Sequence, residues 1–277
     1  MSGLRPEERF EIEEFSCHWD VDEEKFKAGI MDRANILIAG FPPMGNLIPY
    51  HLKELLTDSE KVVSFYSYDF PPMAEARDEE FEIPHDELWY SAAKRLFCYV
   101  GKYPEIEYIP KSAYKQAEGV AQLARTLNVQ ELYTLGVILP SQEPFRKAKE
   151  EVEAYIGCFE GSKKEIPENL RKMTRKNIGR YTIIRKTGLL PGFASKLGIE
   201  SYSILGVGSY PEDLRACARA LRAFKQLSGV EIKETEKIEE MLKKSAESFE
   251  ARIREQQKKA AYRGEGVGAE PNQYMYG

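Results

Sequence analysis

Short apolar runs alternate with charged, helix-patterned stretches along the 277-residue chain. Asn35-Ile-Leu-Ile-Ala-Gly40 is an unbroken apolar run ending in glycine, the pattern of a strand buried on both faces of a parallel sheet. Pro49 to Leu56 predicts the first turns of a helix behind it. Val62 to Tyr68 alternates and is rich in β-branched and aromatic residues, which predicts a second strand. Between Pro71 and Tyr90 seven acidic residues stand against one basic residue, with apolar punctuation at Phe81 and Ile83, so this stretch reads as an exposed hairpin or excursion from the sheet. Arg95 to Val100 restores a strand, Ser112 to Leu127 has the spacing of an amphipathic helix, and Glu131 to Gly136 is again a strand. After a long connection the pattern returns: Tyr181 to Ile184 as strand, a short helix to Leu197, Ser201 to Leu205 as strand, and Pro211 to Leu227 as helix. Strands alternating with helices at this spacing predict an α/β fold, with a mostly parallel sheet covered by helices on both faces.

The two ends differ from this body. Residues 1–32 hold ten Asp or Glu against four Lys or Arg, together with Phe10, Ile12, Phe15 and Trp19, and read as an acidic segment that docks on the body or on a neighbour. From Glu231 to Tyr262 eight acidic and eight basic residues run without Pro or Gly, and Ile238, Leu242, Phe249 and Ile253 trace one narrow stripe along a long, otherwise solvated helix. That stripe has one partner, either its own domain or another subunit. Beyond it Gly264, Gly266, Gly268 and Pro271 cannot propagate a helix, which predicts a flexible tether. The division expected is therefore an acidic segment at 1–32, an α/β domain at 33–230, a charged helix at 231–263 and a tail at 264–277.

Composition narrows the class. With 42% hydrophobic residues, 31% charged residues and a net charge of −5, the chain has the apolar content of a globular protein. Cys17, Cys98, Cys158 and Cys217 are scattered without a C-x-x-C pair and read as reduced, mostly buried small hydrophobes. Five glutamates within the first fourteen residues argue against a secretory signal, and the longest stretch free of charged residues, Ala34 to Leu52, is broken by three prolines. The expectation is a cytoplasmic protein with no membrane partner.

Candidate chemistry is sparse. Gly40-Phe-Pro-Pro-Met-Gly45-Asn46 sits where a phosphate-binding loop would follow the first strand, but Pro42 and Pro43 remove two of the backbone N–H donors on which such a loop depends. It reads as a structural turn. His18, His51 and His85 are not spaced with each other or with cysteines as metal ligands, and no hydrolase elbow or zincin motif occurs. No catalytic residue, metal or cofactor is assigned. Nine Lys or Arg lie between Lys163 and Lys186, against Glu165 and Glu168, yet Tyr181 is the only aromatic among them, so the stacking platform of a nucleic-acid binder is missing. This stretch reads as a basic face that meets an acidic protein surface, or as a solvated loop and helix.

The last three residues are Met275, Tyr276 and Gly277, a hydrophobic residue, a tyrosine and a final residue, at the end of the Gly-rich tether. Fully extended, the residues from Gly264 onward reach at most roughly 46–50 Å, and as a coil about 20 Å. Stiff helix, tether and aromatic end group together look built to deliver a short peptide into a pocket.

Ala39-Gly40-Phe41-Pro42 with Gly45-Asn46, Tyr133-Thr-Leu-Gly136, Gly188-Leu-Leu, Gly192, Leu197-Gly-Ile-Glu200, Ser203, Leu205-Gly206 and Tyr210-Pro211 together resemble the archaeal homologues of proteasome assembly chaperone 2, over roughly residues 30 to 230. Pro43 stands where that family usually has glycine, Val207-Gly208 replaces a polar pair, and 140–180 looks like a rewritten insertion. The resemblance implies a Rossmann-like α/β domain, akin to nucleoside phosphorylases in topology. It further implies a homo-oligomer that acts on the 20S proteasome without ATP, as an assembly chaperone or activator and not as an enzyme, with a paralogous subunit as a further candidate partner. Some members dock through a hydrophobic-tyrosine-any-residue tail that enters pockets between α subunits, which Met275, Tyr276 and Gly277 match position by position. The alternative from the α/β pattern alone is a small-molecule or nucleotide-binding enzyme using the cleft at the strand C-termini.

Overall fold

The computed structural model describes residues 15–262 apart from 43–44, 69, 72, 78–79, 103–109, 139–151, 175–181, 209–212 and 234. Its centre is four parallel strands: β2 (Asn35–Gly40), β7 (Leu96–Val100), β8 (Val129–Ile138) and β11 (Glu200–Val207), in the spatial order β7-β2-β8-β11. Antiparallel strands extend both sides. Beyond β7 come β6 (Asp86–Ser91), β3 (Ser59–Ser67) and β1 (Phe15–Trp19); beyond β11 come β9 (Ala154–Cys158) and, parallel to it, β10 (Leu170–Lys172). A separate two-stranded hairpin, β4 (Glu75–Arg77) and β5 (Glu80–Glu82), stands between β3 and β6.

Both faces of the parallel centre are covered, and the two-residue period of a strand assigns side chains to them. On one face Ile38 joins Cys98, Tyr133 and Ile204 against α2 (Leu47–Leu55), α5 (Leu214–Ser228) and α6 (Thr235–Tyr262). On the other, Leu37 and Ala39 join Phe97, Tyr99 and Leu132 against α3 (Pro110–Thr126) and α4 (Arg185–Lys196). Helix α5 explains its own position. Asp213 caps its first turn by accepting from the Arg215 N–H, Gly229 ends it in the left-handed conformation at φ 70°, and Ala216, Ala220 and Ala223 let it lie close on the sheet. A methyl group at Gly206 would lie 1.9 Å from the Ala216 carbonyl oxygen, so strand and helix touch backbone to backbone.

The acidic N-terminal segment enters the body from Phe15 onward. Strand β1 pairs with β3, the Phe15 ring stacks on Phe65 at 5.5 Å, and α1 (Glu23–Ile30) follows under an Asp22 cap. Phe10 and Ile12 lie outside the described residues.

Two expectations are corrected. The acidic stretch 71–90 does hold an outlying hairpin, but its last part is β6, a strand of the main sheet with Asp86 and Glu87 buried. Burial of two adjacent carboxylates is made possible by lysines from elsewhere in the chain, which no local pattern reveals. Residues 182–184 are not a strand: Arg185 takes φ 60°, the left-handed region, and opens α4 directly, while Tyr181 lies outside the described residues. The strands of that region are β9 and β10, inside the stretch read as an insertion.

Candidate functional site

In this strand order the chain leaving β2 goes to one side of the sheet and the chain leaving β8 goes to the other. The crevice at the C-terminal ends of β2 and β8 is thus the switch point at which open α/β sheets commonly hold ligands. Here the crevice is filled by the chain itself. The Gly101 N–H donates to the Gly40 carbonyl at 2.9 Å, and a methyl group at Gly45 would lie 2.2 Å from the carbonyl oxygen of Leu135 in β8. The turn that follows β2 therefore packs its backbone onto the next strand, as a structural turn does, and Phe41 is buried over Tyr99 with ring centroids 5.5 Å apart.

Beside the turn lies a buried polar network that local sequence patterns do not show. The left-handed Arg185 turns the chain so that Lys186 enters the interior. Its Nζ donates to Gln116 Oε1 of α3 at 2.8 Å, lies 3.8 Å from Asp86 Oδ2 and sits 5.0 Å from the centroid of the Phe41 ring. Asp86 also accepts from the Tyr99 hydroxyl at 2.7 Å and from the Lys102 N–H at 2.7 Å. Gln116 passes the network on by donating to Ser112 at 2.8 Å and to Ser67 at 3.1 Å. The next residue, Glu87, accepts from Lys102 Nζ at 2.6 Å, Lys53 Nζ at 3.0 Å and Trp89 Nε1 at 2.9 Å, with His85 Nε2 3.5 Å away. Burial by itself would raise the Glu87 pKa, but hydrogen bonds from His85 and Lys102, the Lys102 charge and the Trp89 indole outweigh it and hold the carboxyl well below the usual range. The first turn of α4 is pinned in the same region: the Thr187 carbonyl accepts from Thr134 at 2.7 Å and from Ser203 at 2.8 Å.

These groups bond to one another across β6, β7, α2, α3 and α4, which makes the network a brace between the acidic flank of the sheet and its parallel centre. The signal that sequence reading passed over was Leu88-Trp-Tyr90, a short β-prone run directly after the two acids. Burial also makes the interior thiols poor nucleophiles: together with the Asp213 charge it pushes Cys217 up to about 12, and it raises Cys98 as well. Among the described residues no group of three or more His, Cys, Asp or Glu is placed to hold a metal ion, and no helix is long and apolar enough to cross a membrane.

The residues singled out in the sequence, Met275, Tyr276 and Gly277, lie outside the described residues. What is described is the helix from which the tail departs. Ile238, Leu242 and Ala246 of α6 are buried, packing against α5 and α2, while the side chains of Phe249 and Ile253, the rest of the expected stripe, lie outside those described. Arg222 of α5 fixes this seam by donating to Glu239 of α6 at 2.8 Å and to Glu153, just before β9, at 3.2 Å. The basic stretch also divides: Lys186 is consumed in the interior, and Lys164 donates to Glu131 at 2.7 Å and to the Leu227 carbonyl at 2.7 Å. Lys163 and Lys172 are exposed.

The model of the PAC2 family matches residues 37–257. No curated protein matches the chain. Among solved structures, Pyrococcus furiosus PbaB, described as an archaeal proteasome activator, shares the fold with a TM-score of 0.65 at 20% identity, over 88% of this chain and 99% of that one. Pyrococcus furiosus PbaA, described as an archaeal homolog of proteasome-assembly chaperone, gives 0.55 at 20% identity over 80% and 96%. A Mycobacterium tuberculosis proteasome-assembly chaperone homologue gives 0.53 at 16% identity over 79% and 94%.

Proposed function

Because the chain belongs to the PAC2 family, we propose that it serves the proteasome as an ATP-independent assembly chaperone or activator, and that it binds the α ring of the 20S core particle as a homo-oligomer in the cytoplasm. The family match across 37–257 carries this reading, supported by the fold shared with PbaB and PbaA. Docking is assigned to Met275, Tyr276 and Gly277. Tyrosine offers a large apolar area with one hydroxyl, and a terminal carboxylate pairs with a basic pocket residue.

The α6 helix gives the tail a mount. It is clamped along Ile238, Leu242 and Ala246 and runs on to Tyr262, directly before the tether. One tail binds weakly, because ordering the tether costs entropy; several tails on a symmetric oligomer gain through effective concentration. The turn at Gly40–Gly45 and the Lys186 network belong to the scaffold in this reading.

The test is pull-down of purified 20S core particles by the full chain and by a chain lacking residues 275–277, without nucleotide. Capture by the full chain and loss of capture on deletion support the reading; equal capture by both removes the tail from it.

A further inference from the structure

His85 sits at the base of the excursion that leaves the main sheet after β3 and returns at β6. It is the last residue before β6, is 4% exposed and packs its ring on Tyr66 of β3, with centroids 5.5 Å apart. Each ring nitrogen faces an acceptor. Nδ1 lies 3.0 Å from the Ile83 carbonyl oxygen, and because a carbonyl only accepts, Nδ1 carries a proton. Nε2 faces Glu87 Oε1 at 3.5 Å and is buried without a hydrogen bond of ordinary length among the described residues.

With one proton, on Nδ1, the ring turns a bare lone pair toward a carboxylate inside the protein. With that proton on Nε2 instead, the Nδ1 lone pair is set against the Ile83 carbonyl. Only the imidazolium donates to both groups at once. The charged and titratable groups around the ring act in both directions. Asp86 and Glu87 follow it in β6, and Lys186 of α4 lies 3.8 Å from Asp86. Lys102, after β7, donates to Glu87 Oε1 at 2.6 Å, and Lys53 of α2 donates to Oε2 at 3.0 Å. From β3 comes Tyr66, which His18 of β1 meets edge-on and on which Lys61, Asp20 and Glu82 act. Burial holds the Tyr66 hydroxyl above its ordinary pKa, so it stays neutral where histidines titrate. The Glu87 carboxylate favours a proton on Nε2, and the Lys102 and Lys53 ammonium groups oppose it.

We infer that His85 is a proton-operated latch: doubly protonated, it ties the Ile83 carbonyl to Glu87 and holds the returning limb of the excursion on β6; singly protonated, it releases that limb. Phe81 and Ile83, exposed at 76% and 54%, are the apolar side chains whose presentation the latch controls. The limb is held at the acid end of the histidine range, where both bonds are made, and loosens as pH rises through it. Glu87 stays ionised over that range, because its carboxyl is held well below the usual one.

The experiment is NMR of the isotope-labelled full-length chain from about pH 5 to about pH 8.5, with each histidine ring assigned through its own backbone. Nδ1 of His85 is expected to stay protonated throughout and Nε2 to gain its proton toward the acid end. Amide exchange at Glu82, Ile83 and His85, corrected for its intrinsic pH dependence, is expected to be about tenfold faster at the alkaline end than at the acid end. In Glu87→Gln, protonation of Nε2 moves to lower pH and the pH dependence of exchange is lost. His85→Asn keeps a donor where Nδ1 stands, so the bend at Ile83 remains while its pH dependence disappears. A neutral His85 with its proton on Nε2, a ring whose protonation does not change over the range, or exchange that is independent of pH overturns the latch. Exchange that varies with pH equally in the wild type and in Glu87→Gln overturns it as well. If either variant is unfolded in thermal melts, the wild-type ring and exchange data decide between the two outcomes on their own.

Discussion

Lys186 and Asp86 face each other inside the protein with Nζ 3.8 Å from Oδ2 and side-chain exposures of 2% and 0%. Lys186 comes from the first turn of α4 and Asp86 from the start of β6, so the contact ties the antiparallel flank to the parallel centre. Removing one member of such a pair leaves the other charge buried, which costs about 3–5 kcal/mol. Lys186→Met is therefore expected to lower unfolding stability by about that amount, and Lys186→Met with Asp86→Asn to cost less than the sum of the two single changes. Urea unfolding of the three variants gives the cycle; simple additivity would show that the two side chains do not sense each other.

Glu87 makes stability depend on pH in a stated direction. Its folded pKa is depressed below the ordinary value of 4.5, so its contribution is fully present above that value and is lost as pH falls below it toward the folded value. Urea midpoints from about pH 7 down to about pH 3 should fall steeply in the wild type and less steeply in Glu87→Gln, which starts less stable at neutral pH. Parallel curves for the two proteins would contradict the assignment.

The turn after β2 offers a contrast between glycines. An added methyl at Gly45 meets the Leu135 carbonyl oxygen at 2.2 Å, whereas one at Gly29 in α1 meets nothing within 4 Å. Gly45→Ala is expected to destabilise by about 1–3 kcal/mol through forced backbone movement, and Gly29→Ala to stabilise by about 0.5–1 kcal/mol as an ordinary helical replacement. Thermal melts of both variants check the pair; a neutral Gly45→Ala would mean that the turn does not fill the crevice.

The seam under α6 carries the mount of the tail. Leu242 is 2% exposed in the cluster shared with α5, so Leu242→Ala should cost about 2–5 kcal/mol. Arg222→Ala removes the bonds to Glu239 and Glu153 and should loosen the same seam. Amide hydrogen exchange reads the effect locally: protection should fall in 235–246 before it falls in β2 and β8. Loss spread evenly over the whole sheet would count against α6 as a separately docked helix.

The parallel centre was legible because its strands announce themselves. Asn35–Gly40, Leu96–Val100, 132–135 and Ser201–Leu205 are largely apolar runs buried on both faces, and the helices between them keep a 3.6-residue period. Strand β6 was hidden because Asp86 and Glu87 look solvated until Lys53, Lys102 and Lys186 arrive from three other parts of the chain. Residues 182–184 looked like a strand because Thr182, Ile183 and Ile184 are β-branched; the left-handed Arg185 and the close approach of Gly188 to the Ile183 carbonyl, 2.1 Å for an added methyl, turn them into the entry to α4. Strand β9 was missed because Ala154-Tyr-Ile-Gly-Cys158 is short and follows a charged stretch. The proposed docking residues Met275, Tyr276 and Gly277 are read from the sequence alone, as a pattern at the end of a tether, and the described residues supply only the helix that precedes them.

In the function proposed above, this PAC2-family chain engages the 20S core particle through Tyr276 and its two neighbours. The most direct measurement titrates purified 20S core particles against the immobilised full-length chain, its Tyr276→Phe variant and its Tyr276→Ala variant, without nucleotide. Saturable binding is expected for the full-length chain, a modest loss for Tyr276→Phe, which keeps the ring, and about tenfold or greater weakening for Tyr276→Ala, which loses ring and hydroxyl together. Equal binding by all three chains, or no binding by any of them, would contradict it.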